Sequence, residues 1–230
     1  MAIAPKTSLV DSLVTELKSV SKDNLPGKST GIVAAFLERF KEMVSHGLGI
    51  QYFKTKNSVA RESGTTLVPT DSDINIINSY VNSPFLRESY TNLSKAMSLK
   101  VNSILASSFD KGIFSPAEAK KRLLVEMPVL SKSRVNTILR TEYSNIQNIS
   151  AERTYRELGL EDAKFIMLGP TDFRTADSTM EVKHRQGRGL TMDALKELVK
   201  DVAMKYTKTY DPNRPWIIHI NTRHRLQRVA

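Results

Sequence analysis

Over most of the first 160 residues, apolar positions recur every three or four residues, the spacing that gathers them on one face of a helix. In TSLVDSLVTELKSV the stripe is Leu9, Leu13 and Leu17. NLPGKST interrupts it, and TGIVAAFLERFKEMVSHG follows with Ile32, Phe36, Phe40 and Met43 aligned and Gly47 as the expected stop. From Ile50 to Asp73 the pattern dissolves into Thr, Ser, Asn, Gly and Pro, which predicts a flexible arm able to order on docking. Order resumes near Ile74. Ser83 and Pro84 then have the character of an N-cap and first helical residue, and Ser115 with Glu118 has capping-box spacing, with Pro116 in the first turn and Pro128 as terminator. The longest predicted helix runs from about Lys132 to Leu158, with Val135, Leu139, Tyr143, Ile146 and Ile149 on one side and Gly159 ending it.

Past Gly159 the texture changes. AKFIMLG is short, apolar and bounded by Gly169-Pro170, which predicts a strand; WIIHI predicts a second, and LTMDALKELVKDVAMKYT between them reads as an amphipathic helix. The expected fold class is α+β: a helical region over 1–130 with the arm near 50–73, then a long helix and a small mixed α/β unit over 131–230.

Charge adds a direction to this layout. The 230 residues carry a net charge of +10. From Lys183 onward eleven basic residues face four acidic ones, a net +7, which leaves +3 for the first 182 residues. A polyanion such as nucleic acid is therefore expected to meet the C-terminal end. The absence of cysteine excludes disulfides, thiolate nucleophiles and Cys-ligated zinc or iron–sulfur sites. No apolar run approaches the roughly 20 residues of a membrane span, and MAIAPKTSLV lacks the charged-then-apolar order of a secretion signal, so no membrane partner is expected.

HINTRHRL, His219 to Leu226, concentrates the residues that could carry chemistry. His184, His219 and His224, with Asp172 and Asp177 nearby in sequence, are the candidate metal ligands. On an extended strand, however, His219 and His224 point to opposite faces, no compact helical His pair exists, and an HNH-type nuclease would need a helix after His224 that six remaining residues cannot form. The expectation is therefore no metal and no cofactor. No G-x-S-x-G elbow, P-loop or dinucleotide turn is present, and no catalytic residue is assigned. Arginine's planar fork suits phosphate, and Arg185, Arg188, Arg223, Arg225 and Arg228 form the predicted DNA-binding set, making backbone contacts without base readout. Lys196, Lys200 and Lys208 extend that patch or form a solvated helix face paired with Glu197 and Asp201.

Three segments, in this order, resemble the tailed-phage minor head proteins, the head-morphogenesis family that includes the Mu F-type group: LRTEYSNIQNISAERTYRELGLEDAKFIML, DFRTADSTMEVKHRQG and HINTRHRL. The match covers roughly Lys132 to the C-terminus. By position, Arg140, Thr141 and Glu142 match the family's helix motif, Asp172, Arg174 and Thr175 its turn, and His219, Asn221 and Arg223 its ending. Where the family commonly has cysteine this chain has Thr179, Thr222 and His224, so any metal those thiols hold elsewhere must here be replaced by packing or hydrogen bonds. The resemblance implies a non-enzymatic virion protein inside the head, near the portal, formed in the host cytoplasm and contacting portal or major capsid protein and, non-specifically, DNA. Because buried polar side chains must be paired, the Arg and Glu at the start of that helix and the Asp before the turn are expected to lock the helical part to the small β end. The alternatives are a metal-dependent nuclease or other DNA-processing enzyme, a transferase, since some Mu F-type relatives are linked to ADP-ribosyltransferase domains, and an accessory nucleic-acid-binding protein outside any virion.

Overall fold

A computed structural model describes residues 25–84, 132–169, 176–218 and 224–229, with single positions at 18, 21, 86, 87, 91, 95, 98, 99, 101, 103, 106, 107, 121, 122, 125 and 171. Its elements are α1 (Leu25–Glu62), α2 (Asp71–Val81), α3 (Lys132–Glu157), β1 (Phe165–Leu168), α4 (Asp177–Gln186), α5 (Met192–Thr207) and β2 (Arg225–Arg228). The fold is α+β, as expected. The predicted helices at Leu9 to Leu17 and at Ser115 to Pro128 lie outside the described residues or touch them only at single positions.

The chain divides into two compact units, one of Met1–Val44 with Val81–Val135 and the other of Ser45–Tyr80 with Asn136–Ala230. This differs from a division near residue 130: the segment 45–80 belongs with the C-terminal region. In the first unit Val33, Leu37, Val44, Leu86 and Val101 are buried, and the Ser83 hydroxyl accepts the Leu86 N–H at 3.5 Å, as an N-cap would. The side chains of Ile32, Phe36, Phe40 and Met43 lie outside the described residues.

The arm predicted over Ile50 to Asp73 is the main correction. Helix α1 continues to Glu62, and only 63–70 separate it from α2. Gly47 is not the stop. It lies within α1 where the Tyr143 ring of α3 comes close, so that a Cβ there would stand 2.0 Å from the tyrosine hydroxyl. Gly64 ends the helix instead, at φ 72°, with the Thr65 N–H on the Ala60 carbonyl (2.9 Å) and the Gly64 N–H on the Arg61 carbonyl (3.0 Å), the paired bonds of a Schellman cap. The same device closes α3 at Gly159 (φ 65°), where Leu160 N–H reaches the Tyr155 carbonyl at 2.9 Å. The low apolar content of 50–62 concealed a helix because its inward face is partly polar: Tyr52, Lys56, Val59 and Ala60 are all buried.

Replacing Gly47 by alanine would gain about 1 kcal/mol of helix propensity in an exposed helix. Here the clash with Tyr143 reverses the sign, and a net loss of about 1–3 kcal/mol is expected by chemical denaturation. Combining it with Tyr143→Ala should remove the penalty of the added methyl.

The second unit's core joins Val59, Ala151, Tyr155, Phe165, Met167, Val182, Leu195, Val199, Val202, Trp216, Ile218 and Leu226. Strands β1 and β2 pair antiparallel, Phe165 opposite Arg228 and Leu168 opposite Arg225. Phe165, Met167 and Leu226 point into the core; Ile166, Leu168, Arg225 and Gln227 point away from it. The first predicted strand and the predicted helix at 190–207 are thus present, whereas WIIHI is not a strand over its described part: Trp216 and Ile218 are buried from a turn, with Ile217 N–H on the Arg214 carbonyl at 3.2 Å. Helix α4 was not anticipated, since DSTMEVKHRQ lacks a continuous apolar stripe; it buries Ser178, Thr179, Val182 and Gln186.

Candidate functional site

Helix α3 organises the second unit through side chains that sequence periodicity marks as polar. Its buried residues include Thr141, Glu142, Ser144, Asn145, Asn148, Ser150 and Thr154 alongside Ile146, Ala151 and Tyr155. Buried polar groups persist only when hydrogen-bonded, and each of these has a partner.

Glu142, the acid of the Arg-Thr-Glu motif, is buried; one carboxylate oxygen accepts the Tyr80 hydroxyl at 2.5 Å and the other pairs with the Arg214 guanidinium. Asn145, one turn on, donates to the Tyr80 hydroxyl at 3.0 Å and accepts the Trp216 N–H at 3.2 Å. Burial and the adjacent Glu142 charge hold the Tyr80 pKa well above that of a free tyrosine. Further along, Glu152 accepts the Trp216 indole N–H at 3.0 Å and the Lys196 ammonium at 2.9 Å. The motif helix thus grips the segment 214–216, α2 and α5. Arg140 is exposed and takes no visible part in this lock, while Asp172, Arg174, Thr175, His219, Asn221 and Arg223 lie outside the described residues.

The two-stranded sheet is closed on both edges by side-chain amides. Asn148 donates to the His224 carbonyl at 3.0 Å and accepts the Leu226 N–H at 2.8 Å, standing in for a neighbouring strand along β2, and the Tyr155 hydroxyl accepts the Arg228 N–H at 3.4 Å. On the other edge Gln186 accepts the Met167 N–H at 2.8 Å and donates to its carbonyl at 3.4 Å, while Leu190 exchanges backbone bonds with Phe165. Asn148→Asp keeps the acceptor for Leu226 but turns a carboxylate oxygen toward the His224 carbonyl. It should destabilise the unit more than Asn148→Ala, which orphans chiefly the Leu226 N–H at about 1–3 kcal/mol because Ser144 still serves His224. Thermal melts of the two variants check the order.

A second polar network joins α1, α2 and α3. Asp73, fully buried, accepts from Tyr52 (2.8 Å), Lys56 (2.8 Å) and both the N–H and hydroxyl of Thr70 (2.8 and 2.9 Å). Thr70 and Asp73 form a reciprocal cap at the start of α2, Asp73 N–H returning to the Thr70 hydroxyl at 3.3 Å. Lys56 also pairs with Glu157 at 3.0 Å, and Arg153 with Glu157 at 3.1 Å. Burial pushes the Asp73 pKa up, but the Lys56, Thr70 and Tyr52 hydrogen bonds outweigh it and hold the carboxyl at about 2. For Lys56 burial works downward, and the bonds to Asp73 and Glu157 overcome it and raise the pKa. The T-x-x-D spacing of TDSD is a capping-box signal that the predicted arm passes over, and nothing local marks Lys56 as buried.

The proposed metal ligands do not assemble among the described residues. His184 is exposed and His224 buried, His219 lies outside the described residues, and no group of three His, Asp or Glu among the described residues could hold a metal ion. Thr179 and His224, at two positions where the resembled family has cysteine, are both buried. A cavity of about 510 Å³ lies between α2 and α3, lined by Ile76, Ile149, Glu152, Arg153, Arg156 and Glu157. Its two guanidiniums are matched by its two carboxylates and by Asp193, 2.6 Å from Arg156.

The predicted DNA-binding set separates into engaged and open cations. Arg185 pairs with Glu181 (3.4 Å) and lies 3.8 Å from Asp201, Lys196 is held by Glu152, and Lys200 by Glu197 at 2.9 Å. The reading of the α5 lysines as a paired helix face thus fits Lys200, with Glu197, while Lys196 turns to α3 instead. Among the described residues none forms an ion pair with Arg188, Arg225 or Arg228, and Arg188 and Arg225 are exposed. Lys164, which no sequence motif marks, is exposed and likewise without an ion pair among them. Among the described residues no helix is long and apolar enough to cross a membrane. Compared with protein-family models, with curated proteins and with solved structures, the chain matches none.

Proposed function

We propose that this chain is a structural, non-enzymatic component of a tailed-phage head: a minor head protein at or near the portal that aids head assembly and DNA packaging or delivery, docking on portal or major capsid protein and touching DNA without regard to sequence. The observation that carries the reading is the disposition of Glu142. In the motif that resembles the family's Arg-Thr-Glu, the acid is directed inward to Arg214 and Tyr80 and is spent on holding the C-terminal segment to the helix, the work of a scaffold residue. The net +7 carried from Lys183 onward supports proximity to packaged DNA. The protein would be made in the host cytoplasm and reside in the head interior. Mass spectrometry of purified particles from the source phage should find it at low copy, and density beside the portal should accommodate its two units; particles lacking it, formed at normal efficiency with normal DNA content, would overturn the reading.

A further inference from the structure

The geometry points to the outward side and one end of the β1–β2 sheet as the surface that takes the phosphate backbone of duplex DNA, through Lys164 and Arg225 on the outward side and Arg188 and the half-buried Arg228 at the end. This rests on the DNA contact proposed above and assigns it to residues.

Strand alternation puts Arg225 and Gln227 outward beside Ile166 and Leu168, whereas Arg228, opposite Phe165, belongs to the core-facing side and contributes only from the last position of β2 at the sheet's end. Lys164, one residue before β1, alternates to the same side, and its carbonyl accepts the Val229 N–H at 2.7 Å, so it extends the sheet past Phe165 and Arg228. Gly189 packs against this end. A Cβ there would lie 3.1 Å from both the Lys164 Cβ and a Val229 methyl, and its φ of 115° is one only glycine adopts freely, so the approach depends on that glycine. Arg188, its neighbour in the chain, is thereby delivered to the end of the sheet that carries Lys164 and Arg228. Arg225 stands at the other end, four residues along the ladder from Lys164, about 13 Å at strand spacing and close to the roughly 12 Å width of a duplex major groove.

Two features select duplex backbone over other polyanions. Among the described residues the outward side offers isoleucine, leucine and glutamine between its cations and no aromatic ring, so they give no platform on which single-stranded bases would stack. Among the described residues its cations, unlike Arg185, Lys196 and Lys200, have no ion pair to give up when phosphate arrives.

The test is the salt dependence of binding of the full chain to a mixed-sequence duplex, read by fluorescence anisotropy. Replacing all four residues by glutamine should make the plot of log affinity against log salt shallower by about 0.9 for each phosphate no longer neutralised, about three to four in all, and weaken binding at 0.1 M salt at least about tenfold. A triple variant Arg185→Gln, Lys196→Gln, Lys200→Gln, which removes nearly as much charge from engaged positions, should leave the slope near wild type. Equal slopes for wild type and the fourfold variant, or an equal change in the triple variant, would overturn this assignment while leaving a DNA contact elsewhere intact. A wild-type chain that binds no duplex even at low salt would instead remove the DNA contact itself. Tighter binding to single strands than to duplex, or capture by phosphatidylserine vesicles without DNA binding, would also overturn it. Should the fourfold variant melt below wild type, Lys164→Gln with Arg225→Gln, both exposed positions, carries the test with an expected decrease of about two in slope.

Discussion

Glu142→Ala should unfold the second unit's C-terminal lock, at a cost of about 3–5 kcal/mol in urea denaturation. The loss is large because it takes the Glu142 carboxylate away from the Arg214 guanidinium, only 11% exposed, and leaves the buried Tyr80 hydroxyl without its acceptor. Glu142→Gln keeps an acceptor for Tyr80 and should lose less. A double-mutant cycle with Arg214→Leu separates the tie from general packing: removing both partners should cost clearly less than the sum of the single losses. A Glu142→Ala variant within about 0.5 kcal/mol of wild type would show that the motif acid is not the residue holding segment 214–216.

The other large effect belongs to Asp73. Asp73→Ala strands the Lys56 ammonium, 2% exposed, beside one remaining partner, Glu157, and removes the cap of α2; about 3–5 kcal/mol is again expected. The pH dependence distinguishes this from a simple packing loss. The Asp73 carboxyl is held at about 2 against 3.8 when unperturbed, so the folded state binds its proton less readily than the unfolded chain. Its stabilisation is therefore complete above about pH 4 and is lost as pH falls toward 2, whereas the raised Lys56 pKa adds a contribution present at neutral pH and lost only in strong base. Wild type and Asp73→Ala should differ most at neutral pH and converge as the solution is acidified. A stability difference that stays constant from pH 7 to pH 3 would contradict the assignment.

Both sites show why reading the chain as a string of apolar stripes misplaces part of its interior. The stripe Val135, Leu139, Tyr143, Ile146, Ile149 sets the extent of α3, yet Ile146 is the member seen to be fully buried, and the face in contact with the rest of the unit is lined by Glu142, Asn145 and Asn148. Such residues read as solvent-facing because nothing nearby in sequence reveals the backbone groups they serve at 216, 224 and 226. The predicted arm failed for the same reason. Lys56 counts as polar in any window, and only Asp73 and Glu157, 17 and 101 residues away in the chain, make its burial tolerable.

Local chemistry was enough for what depends on neighbours along the chain: the ends of α3 and α5, the position of β1, the cap at Ser83, the stop at Gly159 and the weight of positive charge toward the C-terminus. Only the folded chain decided which glycine ends α1, which polar residues go inside, that RLQR and not WIIHI pairs with β1, and which cations are left open once Arg185, Lys196 and Lys200 have found carboxylates. Helix caps and periodicity are set by bonds that span a few residues, whereas burying a charge or capping a strand edge is settled by partners that come together only after long stretches of chain have packed.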